Sequence, residues 1–211
     1  MNFNAKEVGE MYRRLTLLVA ALFAAAIMNA GPASACVGKT LVIGAVNAPD
    51  VTVVSEMLSI LITERTGTTV VVKEFDDYKG CYDALKKNEV DIVVDFTGRC
   101  YVDVLGLQPE TDANKVFSAV KESYQRDMNL VWLEPFGFSE TGVKIKGGTP
   151  AIAAPVVRKD TLNKFPALPR VINKLAGRLG NDVMAKLVSE SGQGKNAKKV
   201  TRKFLKDNRL I

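Results

Sequence analysis

Hydrophobic and polar positions divide residues 40–211 into short apolar runs and longer periodic segments. Residues 40–46, TLVIGAV, form an apolar, mostly branched run that predicts a buried parallel strand. Asn47, Ala48, Pro49 and Asp50 turn the chain. Val53, Met57, Ile60 and Leu61 then recur at helical spacing, predicting a helix that Asp50 or Thr52 caps and Gly67 ends. Residues 68–74, TTVVVKE, read as a second strand, with Phe75, Asp76, Asp77 and Tyr78 as its exit loop. A helix over 82–87 stops near Asn88, and residues 91–95, DIVVD, form a third strand. The chain continues through Phe96, Thr97 and Gly98 into a helical segment over 101–105. A longer helix is predicted over 113–127, with Val116, Val120 and Tyr124 on one face. Residues 130–133 form a fourth strand and the glycine-rich residues 136–150 a connection. Residues 151–157 form a fifth strand, where Pro155 predicts an edge position or an early exit. Helices follow over 168–179, 182–190 and 197–207.

Strands alternating with helices predict an α/β fold, with a mostly parallel sheet of about five strands flanked by helices and the C-terminal helices packed on it. Ligands of such sheets sit just beyond the carboxyl ends of the strands. Phe96, Thr97 and Tyr101 are therefore the first candidates to touch a small ligand. Each has a plainer alternative: Phe96 in the core, Thr97 capping a helix, Tyr101 packed on the sheet. Asp95 either attracts a cation or serves as a charge at the helix start.

Residues 1–35 read as an export signal. Arg13 and Arg14 precede an apolar run of 14 residues, 15–28, shorter than the roughly 20 a membrane span needs. Ala33, Ser34 and Ala35 then offer a small-x-small cleavage site. Cys36 at the first mature position is a lipidation candidate, although Ala33 stands where a lipobox usually has Leu. The expected location is the periplasm or the outer face of the cell membrane, where disulfides persist. Cys81 and Cys100 can pair with each other, or one of them with Cys36.

Composition narrows the chemistry. The chain has no histidine, which removes Ser-His-Asp and Cys-His catalysis and most zinc sites. No nucleophile–base pair, phosphate loop or metal-ligand spacing stands out, so neither an enzyme nor a cofactor is expected. The net charge of +6 is uneven: residues 36–143 carry 10 basic and 17 acidic side chains, and residues 144–211 carry 16 and 4. The basic residues of the second part alternate with Leu, Val and Phe at helical spacing, which fits solvated helix faces better than a nucleic-acid surface.

Four stretches resemble the substrate-binding proteins of ABC importers for glycine betaine, choline, carnitine and proline. They are LVIGAVNAPDVTVVSEMLSILITERTG, NEVDIVVDFTGRCYVDVLG, NLVWLEPFGF and APVVRKDTLNKFPALPRVINKLAG. The resemblance implies a periplasmic-binding-protein-like lobe, an ABC permease as partner and a quaternary-amine or amino-acid-like osmolyte as ligand. It also implies a departure. The family clamps its ligand between two lobes, whereas here residues 36–138 and 151–211 are joined by a short linker, 139–150, where a second lobe would be. The expectation is a single lobe, either a reduced receptor or a repurposed module that docks a permease, a second copy of itself or another envelope protein. By the same resemblance Phe96 matches the family's aromatic, and Asn47 its asparagine after the first strand. Asp77 and Tyr78 align with its Gly-Gly-Thr loop, where Tyr78 can replace a lost aromatic.

Overall fold

The computed structural model describes residues 40–140 and 145–211; the expected export signal, its expected cleavage site and Cys36 lie outside the described residues. β1 (Thr40–Val46) coincides with the first apolar run. It leads into α1 (Pro49–Thr66), which Gly67 ends in the left-handed conformation at φ 69°. Neither Asp50 nor Thr52 caps α1. Proline at its first position needs no donor partner, and Asp50 lies inside the first turn, accepting from the Val51 N–H at 2.8 Å.

β2 (Thr69–Phe75) is followed by α2 (Tyr78–Lys86), which starts earlier than its apolar period suggests. Asp77 is the reason: its side chain accepts from the Gly80 N–H at 2.7 Å and caps the helix. β3 (Ile92–Phe96) is buried at every position. A single turn, α3 (Thr97–Arg99), continues as a π-helical turn over Cys100–Val104. α4 (Ala113–Asp127) buries Val116, Val120 and Tyr124, as the spacing predicts, and Asp112 caps it. β4 (Leu130–Trp132), β5 (Ala153–Arg158), α5 (Lys159–Lys164), α6 (Leu168–Ile172), α7 (Asn181–Glu190) and α8 (Ala197–Asp207) complete the chain.

The sheet order is β2-β1-β3-β5-β4. β1 pairs in parallel with β2 and β3, while β5 runs antiparallel between β3 and β4, so four of the five strands point one way. Pro155 therefore lies in an interior strand, not at an edge. Its carbonyl accepts from the Leu133 N–H at 2.9 Å, one residue past the last β4–β5 pair. Carbonyl and nitrogen of one residue face the same side of an antiparallel strand, so the missing donor faces Leu133, one residue past the end of β4.

Part of the expected connection pairs with the returning chain through an isolated bridge, Ser139 to Ile152. The Phe136 N–H donates to Ala153 O, the Ala153 N–H to Phe138 O and the Glu140 N–H to Ala151 O, each at 2.9–3.1 Å. Residues 136–140 thus run antiparallel to 151–153.

Two apolar layers cover the sheet. On one face Leu41, Ile43, Val94 and Phe96 meet Met57 and Leu61 of α1 and Leu187 and Leu205 of the C-terminal helices. On the other, Val93 and Val156 meet Leu85 of α2 and Val120 and Tyr124 of α4. Since successive strand residues point to opposite faces, Phe96 belongs to the first layer while Asp95 points into the second.

Candidate functional site

β1, β2 and β3 end side by side, and the segments that leave them form one wall of an open pocket of about 490 Å³. Ala48, Pro49 and Asp50 come from the start of α1, Tyr78 from the start of α2 and Phe96 from the end of β3. Glu140 enters from the paired segment after β4. The opposite wall is α7, through Met184, Ala185, Val188 and Ser189, followed by Gln193 in the next turn.

The aromatic floor is fixed by packing. Phe96 is 1% exposed and meets Phe138 edge to face, with ring centroids 6.0 Å apart. Tyr78 is held from one side by Arg99, whose guanidinium carbon lies 4.0 Å from the ring centroid, a favourable approach to the electron-rich ring face. Arg99 is itself anchored: Nε donates to Asp95 Oδ1 at 2.9 Å and Nη2 to Asp95 Oδ2, closing a two-bond fork. Asp95 is fully buried and also accepts from the Phe96 N–H at 2.7 Å. Asp95 thus carries a charge just before the helix start and is not exposed to a ligand; its charge positions Arg99, and through it Tyr78.

The pocket's ionisable groups are acidic. Burial raises the carboxyl of Asp50 above its ordinary range, despite the opposing hydrogen bond from Val51. Burial also raises Glu140, reinforced by the charges of Asp50 and Asp95. Glu140 Oε2 is buried and receives no hydrogen bond among the described residues. Burial, with help from Asp95 and Glu140, pushes the Tyr78 phenol up as well, so it stays a neutral donor. Among the described residues, no lysine or arginine lines the pocket.

The sequence candidates divide. Phe96 and Tyr78 line the pocket. Asn47 lies beside it, exposed, with its backbone N–H donated to Phe75 O at 3.0 Å. Asp77 is occupied as the α2 cap. Thr97 is 1% exposed: its hydroxyl donates to Pro150 O and accepts from the Ile152 N–H, both at 3.0 Å, tying β3 to the returning chain. Tyr101 packs with the layer on the far face of the sheet. Asp50, Glu140 and the α7 wall were not among the candidates. Asp50 carries the signal of a helix-start acid, whereas Glu140 lies in the connection without a clear period. The α7 residues carry no local signal, because tertiary packing alone brings them to the rim.

Cys81 and Cys100 are both buried with free thiols, so the expected bridge between them is absent from the structure. They face different neighbours. A Cβ added at Gly44 would meet Cys81 Sγ at 2.6 Å, whereas Cys100 Sγ lies 3.7 Å from Arg99 Nη2 and 4.0 Å from the Tyr82 hydroxyl.

A lobe whose strand ends converge on an open pocket with an aromatic floor and acidic walls has the form of a solute-binding protein. The family model for the substrate-binding domain of ABC-type glycine betaine transport systems matches residues 39–142 and 145–207, and the chain belongs to that family. It is 27% identical over 147 residues to the carnitine transport binding protein OpuCC of Listeria monocytogenes, covering 69% of this chain and 46% of that protein. The chain thus spans about half the length of the curated relatives it matches. Among solved structures, one described as a glycine betaine/carnitine/choline ABC transporter superposes with a TM-score of 0.73 at 17% identity, covering 82% of this chain and 98% of that one. Apo YehZ from Escherichia coli superposes with a TM-score of 0.67 at 14% identity, covering 82% and 99%. These likenesses concern the fold.

Proposed function

We propose that this chain is the solute-binding component of an osmoprotectant ABC importer, exported and reduced to a single lobe, and that it takes a small quaternary amine in the strand-end pocket for delivery to a permease. One observation carries the reading: Phe96 and Tyr78 share a pocket whose ionisable walls are carboxyl groups. A quaternary ammonium has no N–H to donate, so it is held by ring faces and by negative charge. Each ring contributes about 0.5–2 kcal/mol, depending on how dry the contact is. The methyl-bearing α7 wall, Met184, Ala185 and Val188, supplies apolar contact for the N-methyl groups. Family membership and the match to a carnitine-binding relative support the assignment. No helix among the described residues is long and apolar enough to cross a membrane.

Calorimetric titration of the purified chain with choline, glycine betaine and carnitine tests this. Heat with at least one of them, abolished in Phe96→Ala while the far-UV spectrum is unchanged, is the expected result. Silence with all three, or an unaltered affinity in Phe96→Ala, would refute it.

A further inference from the structure

From the charges around the pocket we infer a specificity that rests on the proposed solute-binding role: Asp50 and Glu140 select a quaternary amine with net positive charge and reject zwitterions that carry a carboxylate. Choline is of the first kind, glycine betaine and carnitine of the second.

The selection follows from what lines the pocket. Eleven of the described residues do so, and their ionisable members are Asp50, Tyr78 and Glu140. A zwitterion's carboxylate needs a cation or several converging donors once out of bulk water. Arg99 does not line this pocket. Arg99 has committed Nε and Nη2 to Asp95 and lies against the Tyr78 ring. The neutral side-chain donors are the Tyr78 phenol, Ser189 and Gln193, the last two exposed on the α7 side. A carboxylate placed among these groups would also face two acidic side chains. A cationic head group meets the reverse situation. Glu140 Oε2 is buried without a hydrogen-bond partner among the described residues, and Asp50 spends one oxygen on the Val51 N–H. Both have acceptor capacity left for a positive ligand or its hydroxyl.

Geometry and charge therefore give different roles to two groups of residues. Phe96 and Tyr78 recognise the methylated nitrogen that all these solutes share. Asp50 and Glu140 add attraction for its positive charge and oppose a carboxylate elsewhere in the molecule.

The test uses choline, tetramethylammonium, glycine betaine and L-carnitine against the wild-type chain, Asp50→Asn and Glu140→Gln. Choline and tetramethylammonium are expected to bind at least about tenfold tighter than the two zwitterions, the scale of one partly screened charge contact. Each neutralised variant is expected to lose about tenfold for the two cations and to narrow the preference, with thermal melts confirming that the variants fold. Zwitterions binding as well as choline to the wild type, or a preference unchanged in both variants, would overturn the inference while leaving the aromatic pocket as the solute site. No binding by any of the four would overturn both.

Discussion

Replacing Arg99 with alanine tests how the strand-end rim is held together. The wild-type guanidinium gives Asp95 two charge-assisted hydrogen bonds, and the Phe96 N–H gives a third contact. Asp95 is 0% exposed and Arg99 19% exposed at the side chain. The variant therefore leaves a buried carboxylate with one backbone donor. Breaking a buried pair from one side costs about 3–5 kcal/mol, and the residual exposure of Arg99 favours the lower end, near 3 kcal/mol. In a domain of this size that loss lowers Tm by about 6–12 °C. Urea unfolding with two-state analysis should give the same free energy with an unchanged slope. Adding Asp95→Asn removes the orphaned charge, so the double variant should recover about half of the loss or more. A cost below about 1 kcal/mol for Arg99→Ala, or a double variant no more stable than the single, would refute the buried-fork account. Affinity for choline should also fall in Arg99→Ala, because Tyr78 loses the group 4.0 Å from its ring.

Two further predictions concern titrating groups. Asp50 and Glu140 have raised carboxyls; the groups facing them include each other, Tyr78, Asp95, Arg99 and Asp103. Protonation removes the charge that attracts a cation, so choline affinity should fall on acidification, beginning above the ordinary carboxylate range. The empty protein should respond in the opposite sense. A carboxyl raised on folding stabilises the native state below its unfolded pKa, and that contribution is lost as pH rises through the folded value. Calorimetry and thermal melts across pH 4–8, repeated with Asp50→Asn and Glu140→Gln, should show both trends flattened in the variants. For the thiols, burial raises Cys100 and pushes Cys81 up to about 12. Both should resist alkylation in the native protein and react once it is unfolded without reductant, as mass spectrometry of the labelled peptides will show; modification of either in the native state would contradict this burial.

The parts of the fold legible in the sequence are those whose determinants are local. β1, α4 and α8 were placed to the residue because an apolar run or an amphipathic period is bounded by turn-forming and polar residues. The α2 start was displaced because Tyr78, Lys79 and Gly80 carry no apolar period, while the capping side chain of Asp77 precedes them. Pro155 was misplaced because its cost depends on where β4 stops, which no window around residue 155 reveals. At the site, Phe96 and Tyr78 were legible as aromatics where strands end. Glu140 was not, since its position comes from backbone pairing with Ala151. The α7 wall was not legible because Met184 and Val188 have the spacing of ordinary core residues, and only the packing of α7 beside the rim turns part of that face toward a ligand.

The antiparallel pairing of residues 136–140 with 151–153 has a consequence for the chain between them. It fastens the outgoing and returning backbone together at the margin of the lobe, ahead of whatever lies between them. Doubling the length of a flexible excursion costs only about 0.6 kcal/mol in closure entropy. An insert with neighbouring termini could be grafted there, or excised, while the sheet keeps its hydrogen bonds. The sheet thus holds its outgoing and returning backbone by contacts that bear little on the length of the excursion between them.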